Sequence, residues 1–312
     1  MDEEAPPPPD PVGRRRLLSP VLIADQFQPL SALVKVEFGA HSQAGAGRLT
    51  NEDHYVILRL GRHQEVMAST LPEADLPERF DEHGYAIVVA DGTGELGSGA
   101  LASRIAISSL AHVAIHFGKW NLRVNARTAE DIANQAEIFY QRAAHAVERR
   151  GMSHALLAAM KTTLTITFSA GDELFYAHVG DSHAYLFRNG ELTRLTRPRT
   201  GDQDSADRPT PVSTGDLSDL RDILNDALGG GRGTPAVDVE RVHLLDNDTI
   251  LLCTDGLTAV LDEDSIAERL AHPRTLNDLC KELVDLAVSQ GGGDATAVLA
   301  KYRIPSLREP SA

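Results

Sequence analysis

Cysteine is nearly absent: Cys253 and Cys280 are the only two in 312 residues. That is too few for a disulfide framework or a thiolate-rich zinc site, and it favours a reducing, cytoplasmic setting. No uninterrupted apolar run approaches the ~20 residues that span a bilayer. The opening Met1-Asp2-Glu3-Glu4 is acidic where a secretory leader is basic, and no apolar stretch follows it. Neither a membrane partner nor a leader is therefore expected. Basic residues are outnumbered, 30 Lys and Arg against 45 Asp and Glu, for a formal net charge of -15. A nucleic-acid partner would need a basic face, and the chain has no surplus cations to build one.

Apolar residues, at 42%, suffice for a sizeable core, and the length suits one large β-rich domain. Residues 1–28 carry Pro6-Pro7-Pro8-Pro9, Pro11 and Pro20 among acids and Arg14-Arg15-Arg16. They read as a disordered arm ahead of a domain over 29–304, with a short tail at 305–312. Arg197 to Asp216 is rich in Pro, Gly and Asp and reads as a long surface loop. Thr163 to Phe168 alternates polar and apolar residues, as a half-buried antiparallel strand does. Ala86–Ala90 and Ile250–Cys253 are continuous apolar runs, the pattern of strands buried on both faces. Helices are expected over Leu101–Ile115, Ala129–Arg150 and Leu276–Val288. Strands and helices do not alternate strictly, so an α+β sheet sandwich with flanking helices fits better than a doubly wound parallel sheet.

Acids recur where these strands end. Asp91-Gly92 follows Ala86–Ala90, Gly180-Asp181-Ser182 follows Phe175–Val179, and Thr254-Asp255-Gly256 follows Ile250–Cys253. Gly291-Gly292-Gly293-Asp294 precedes the apolar Ala297–Ala300. A single Asp-Gly is an ordinary turn, but the recurrence at strand borders points to one gathered site. Carboxylates so gathered repel one another unless cations neutralise them. Oxygen ligands without cysteine or clustered histidine select magnesium or manganese. Upstream, Arg48-Leu49-Thr50-Asn51-Glu52-Asp53 adds a guanidinium fork suited to phosphate and two further acids.

Taken in order, these segments resemble the motif series of the type 2C, metal-dependent serine/threonine protein phosphatases, in a bacterial-like form. The resemblance runs over about residues 33–303 and is carried by Asn51-Glu52-Asp53, Asp91-Gly92, Thr162-Thr163-Leu164 through Gly180-Asp181-Ser182, Thr254-Asp255-Gly256 and Gly293-Asp294-Ala295-Thr296. It implies a four-layer α-β-β-α sandwich of two antiparallel sheets flanked by helices. It also implies hydrolysis of phosphoserine and phosphothreonine in proteins by a dinuclear Mn2+ or Mg2+ centre that activates water. By the same resemblance Asp91 bridges the two ions, the Gly92 carbonyl binds one, and Asp255 and Asp294 hold the other. Glu52 and Asp53 reach the ions directly or through water, Asp181 marks a weaker third ion, and Arg48 clamps the substrate phosphate. The implied partners are phosphorylated proteins, a Ser/Thr kinase among them.

The chain departs from the family pattern at several places. Thr93-Gly94-Glu95 stands where Met-Gly-Gly or His-Gly-Gly is usual, His183 where Arg is usual, Pro198-Arg199 where Asp-His is common, and Ala295 where Asn is usual. None of these removes a predicted ligand. They motivate an alternative, a catalytically weak or inactive phosphatase-fold module that binds phosphoproteins. Glu95 is expected to face the cleft and repel incoming phosphate. His54, beside the Asn-Glu-Asp segment, is weighed as a proton donor, whereas His41, His178 and His183 read as structural.

Overall fold

A computed structural model of the chain describes residues 30–71, 80–117, 126–196, 227–231, 237 and 239–305. The expected arm at 1–28 and the expected loop at 197–216 lie outside these residues. The strands in chain order are β1 Lys35–Gln43, β2 Asp53–Gln64, β3 Phe80–Thr93, β4 Lys161–Thr162, β5 Leu164–Ala170 and β6 Glu173–Val179, then β7 His183–Arg188, β8 Glu191–Arg194, β9 Leu228–Gly229, β10 Glu240–His243, β11 Thr249–Cys253 and β12 Ala295–Arg303. The main helices are α1 Ser98–Phe117, α2 Ala126–Gly151, α3 Glu263–Leu270 and α4 Leu276–Ser289.

One sheet has the order β1-β12-β11-β7-β8. The other runs β10-β6-β5-β3-β4-β9, with β2 paired to β3 as well. The ladders are antiparallel throughout these described strands.

The continuous apolar runs are explained by what lies on each face. Ile87 and Val89 of β3, Ile250 and Leu252 of β11, and Val298 and Ala300 of β12 meet between the two sheets. The residues alternating with them face outward onto helices. Val88 and Ala90 pack with Ala102, Ala106 and Leu110 of α1 and Tyr140, Ala144 and Val147 of α2. Leu251 and Cys253, with Ala297 and Leu299, pack under Leu279, Leu283 and Val284 of α4. Period-two alternation with both faces covered makes every position apolar. The result is the expected four-layer α-β-β-α sandwich.

Helix α1 is long and apolar enough, by length and composition, to cross a membrane. Here its apolar stripe is spent on the sheet, with Ala102, Ala106, Ile107, Leu110 and Ala114 buried. The N-terminus of α4 is capped by Thr275, whose side chain accepts from the Asp278 N–H. That of α3 is capped by Asp262, which accepts from Ser265.

One sequence expectation needs correcting. The strand carrying Asp91 does not stop there but continues to Thr93. The reason is β4, whose Thr162 and Lys161 pair with Gly92 and Thr93. Thr162 Oγ1 also donates to the Asp91 carbonyl at 2.8 Å. Asp91 is therefore held inside a ladder rather than at a free strand end.

Candidate metal centre

All the elements that carry the candidate acids deliver them to one end of the sandwich. Asp53 opens β2 and is the direct register partner of Asp91 on β3. Asp181 lies in the turn where the chain passes from β6 in one sheet to β7 in the other. Asp255 follows β11 as the first residue of a single helical turn, Asp255–Thr258. Asp294 immediately precedes β12, and Arg48 and Glu52 sit in the β1–β2 connection.

Glycine makes these approaches possible. A Cβ on Gly92 would come within 2.0 Å of the Gly99 carbonyl oxygen, and one on Gly99 within 2.7 Å of Glu52 Oε1. At Gly256 a Cβ would lie 2.0 Å from the Asp294 carbonyl oxygen. No side chain fits at these contacts, so the loops can touch backbone to backbone.

Asp91, Asp181 and Asp255 each offer a carboxylate oxygen, and these atoms lie within 4.8 Å of one another. Burial first, then the charges of Asp53, Asp255 and Asp181, push the Asp91 carboxyl up to about 10. Asp53, only 4% exposed, is pushed up to about 7, mainly by burial and against the pull of hydrogen bonds from Thr254 and Thr296. Asp181 is raised by burial and then by Asp255, with Lys161 opposing. Burial and like charge favour the protonated form of Asp91 and Asp53, and a bound cation would reverse that preference.

Two buried carboxylate oxygens, Glu52 Oε1 and Asp53 Oδ1, have no hydrogen-bond partner among the described residues. An unpaired buried acceptor is costly, and a hard divalent cation is the partner its chemistry suits. Cys253 lies close by but is fully buried, and burial raises its thiol far above the ordinary range, so it offers no thiolate. The donor set is all oxygen, and it fits magnesium or manganese.

Asp294 is differently placed. Its Oδ1 accepts from the Gly45 N–H at 2.9 Å, and its Oδ2 from the Glu52 N–H at 2.8 Å and Arg48 Nη1 at 3.0 Å. Arg48 Nη1 also lies 3.8 Å from Glu52 Oε2, and the Arg48 side chain is half exposed. The predicted phosphate clamp thus reaches the centre, resting on one of the predicted ligands.

The sequence reading missed the hydroxyls that hold the acids. Thr254 Oγ1 and Thr296 Oγ1 donate to Asp53 Oδ2 at 2.7 and 2.9 Å. Thr163 Oγ1 accepts from the Asp91 N–H at 2.9 Å and lies 2.8 Å from Ser182 Oγ. Each belongs to a segment already singled out, so the signal was a hydroxyl beside or near an acid in every motif.

Of the departures from the family pattern, Pro198-Arg199 lies outside the described residues, and Glu95 and His183 fall around the centre rather than in it. Glu95 is exposed in a tight turn, Glu95–Gly97, and is not among the charges acting on Asp91 or Asp181. The expectation that it faces the cleft is not met. The turn lifts it outward: Leu96 takes a left-handed backbone conformation (φ 52°) and is 89% exposed. His183 Nδ1 accepts from Arg194 Nη2 at 2.9 Å, and burial and then Arg194 lower its pKa to about 4. His54 Nδ1 lies 2.9 Å from Ser103 Oγ, on the side where α1 packs. Asp172, Glu173 and His243 form a second group of ligand type, at a partly exposed sheet edge where Arg241 also reaches Glu173.

The sequence profile of the family described as Protein phosphatase 2C matches residues 70–301. Serine/threonine protein phosphatase PstP of Mycobacterium tuberculosis is 30% identical over 215 residues, 68% of this chain. The chain spans 39% of that relative's length. Serine/threonine phosphatase stp of Listeria monocytogenes is 31% identical over 228 residues, covering 70% of this chain and 84% of the relative. The crystal structure of the catalytic domain of PstP in complex with two manganese ions superposes with a TM-score of 0.60 at 25% identity, covering 86% of this chain and 99% of that one. The serine/threonine phosphatase of S. agalactiae shares the fold, with a TM-score of 0.61 at 22% identity. With the profile matched over most of the domain and the acids gathered at one end of the sandwich, the chain belongs to the protein phosphatase 2C family.

Proposed function

We propose that the chain hydrolyses phosphoserine and phosphothreonine in proteins at a dinuclear manganese or magnesium centre. The observation that carries this reading is the convergence of Asp91, Asp181 and Asp255 beside the unpartnered buried oxygens of Glu52 and Asp53. The residues that would hold the ions are Asp91, the Gly92 carbonyl, Asp255 and Asp294, with Asp181 available to a weaker third. Two divalent cations would supply an activated water and neutralise charge on the phosphoryl oxygens.

The chain's own residues have separable tasks. The Asp53 carboxylate at the start of β2 and the Glu52 carboxylate just before it would accept hydrogen bonds from a water at the site and orient it. Arg48 would exchange its contact with Asp294 Oδ2 for the incoming phosphate, leaving that oxygen, still held by the Glu52 N–H, with room for a cation. Packing of α1 against β2 and β3, with Ser103 Oγ donating to the Glu52 carbonyl at 2.6 Å, holds the inner wall of the site in place. The catalytic reading is favoured over a phosphoprotein-binding module because Thr93, Glu95, His183 and Ala295 displace none of the convergent carboxylates. A Ser/Thr kinase is a natural substrate, being itself a phosphoprotein in the same signalling chemistry.

The test is release of phosphate from a phosphothreonine peptide by chelator-stripped chain, with and without added manganese. Hydrolysis that needs the metal supports the enzyme. Tight binding of the peptide with no hydrolysis at saturating metal supports the binding module instead.

A further inference from the structure

The hydroxyls around Asp53 form more than a local contact. Thr254 Oγ1 and Thr296 Oγ1 both donate to Asp53 Oδ2, and a hydroxyl carries one proton, so both protons are committed there. Thr296 Oγ1 also lies 2.7 Å from Ser42 Oγ. Its own proton being used, it accepts there, and Ser42 is the donor. Ser42 Oγ in turn accepts from Asn51 Nδ2 at 2.8 Å. The other end of that amide, Asn51 Oδ1, accepts from the Asp53 backbone N–H at 3.0 Å. The path starts at Asp53 and returns to it: Asp53 N–H, Asn51, Ser42, Thr296, Asp53 Oδ2. Every proton on it has one direction only. Thr254 is fixed independently, because its Oγ1 accepts from the Thr296 N–H at 2.9 Å.

The outcome for Asp53 is asymmetric. Oδ2 takes two hydroxyl protons, whereas Oδ1 is buried with no partner among the described residues. Thr254 and Thr296 are themselves fully buried, so the grip is not shared with water. The residues come from β1, the β1–β2 connection, the end of β11 and the start of β12. Four segments meet to turn one carboxylate.

We propose that Thr254 and Thr296 are positioning residues that hold Asp53 by one oxygen and present the other to the cation centre, with Ser42 and Asn51 setting the direction of the grip. This rests on the metal-centre reading above and adds residues to it. Orientation is what a metal site gains from such partners, and losing one typically weakens metal binding about 10–100-fold. Thr296→Val keeps the shape and removes the hydroxyl, whereas Thr296→Ser keeps the hydroxyl.

The experiment is calorimetric titration of manganese into chelator-stripped chain, wild type against Thr296→Val, Thr296→Ser and Thr254→Val. Folding of each is checked by circular dichroism. The expected result is manganese affinity lowered by about tenfold or more in the two valine variants and restored to within about twofold by serine. Ser42→Ala is the second line should a valine variant fail to fold. It breaks the path one step further out, and a loss of about two- to fivefold is expected there. Wild-type affinity in a folded valine variant, or in Ser42→Ala where those do not fold, would overturn the proposal. So would a serine variant as weak as valine. Because the readout is metal binding, it stands apart from phosphatase turnover. A wild-type chain that binds manganese without hydrolysing phosphopeptide would defeat the function and leave the grip standing.

Discussion

Asp91 has its pKa raised by burial and by the neighbouring charges of Asp53, Asp255 and Asp181. Its carboxyl, raised from the ordinary aspartate value to about 10, favours the fold only while it holds its proton. That contribution is complete below the unfolded value of about 4 and is lost as pH climbs towards the folded one. Asp53, raised to about 7, adds the same trend over the lower part of that window. The metal-free chain should therefore lose stability steadily from pH 5 to pH 8. Asp91→Asn removes the titrating group while keeping its shape. In excess chelator it should melt above wild type at pH 8, with the gap narrowing at pH 5. Melting curves for the two proteins across that range check this, and parallel curves would acquit Asp91. The acids at 52, 53, 91, 181, 255 and 294 were legible in the sequence because each sits in a short motif beside an apolar run. The grip on Asp53 was not, since Thr254 and Thr296 lie 201 and 243 residues from it and only the packed sheets bring them together.

At the scale of elements, the acids are placed by strands whose outward faces are pinned by helices. Leu283 of α4 is fully buried against the five-stranded sheet, over Leu251, Ala297 and Leu299. Leu283→Ala leaves a cavity there, at a cost of about 2–5 kcal/mol. For a domain of this size that lowers the melting temperature by roughly 5–15 °C. Below the transition the manganese affinity should hold, because among the described residues the hydrogen bonds to Asp53 and Asp294 come from outside α4. A thermal melt and a manganese titration on the same sample separate the two effects. The runs at 86–90 and 250–253 announced strands covered on both faces, and the leucine spacing announced α4. The extension of β3 past Asp91 left no such trace, because β4 is two residues long and carries no periodicity. The position of Glu95 was equally hidden, being set by the backbone of Leu96 and Gly97 rather than by residue type.

For the whole molecule, the acidic end is where charge as well as packing acts between the two sheets. Asp53 and Asp91 come from one sheet, Asp255 and Asp294 from the ends of strands in the other, and Asp181 from the passage between them. Cations bound there would tie the layers together, which is why metal binding, folding and turnover are coupled in this account. The most direct test is anomalous diffraction from crystals of the chain soaked in manganese. The account predicts two peaks about 3.5–4 Å apart, with the Asp91 carboxylate between them and Asp255 and Asp294 on one. Manganese found only at the edge formed by Asp172, Glu173 and His243, with no peak beside Asp91, would contradict it.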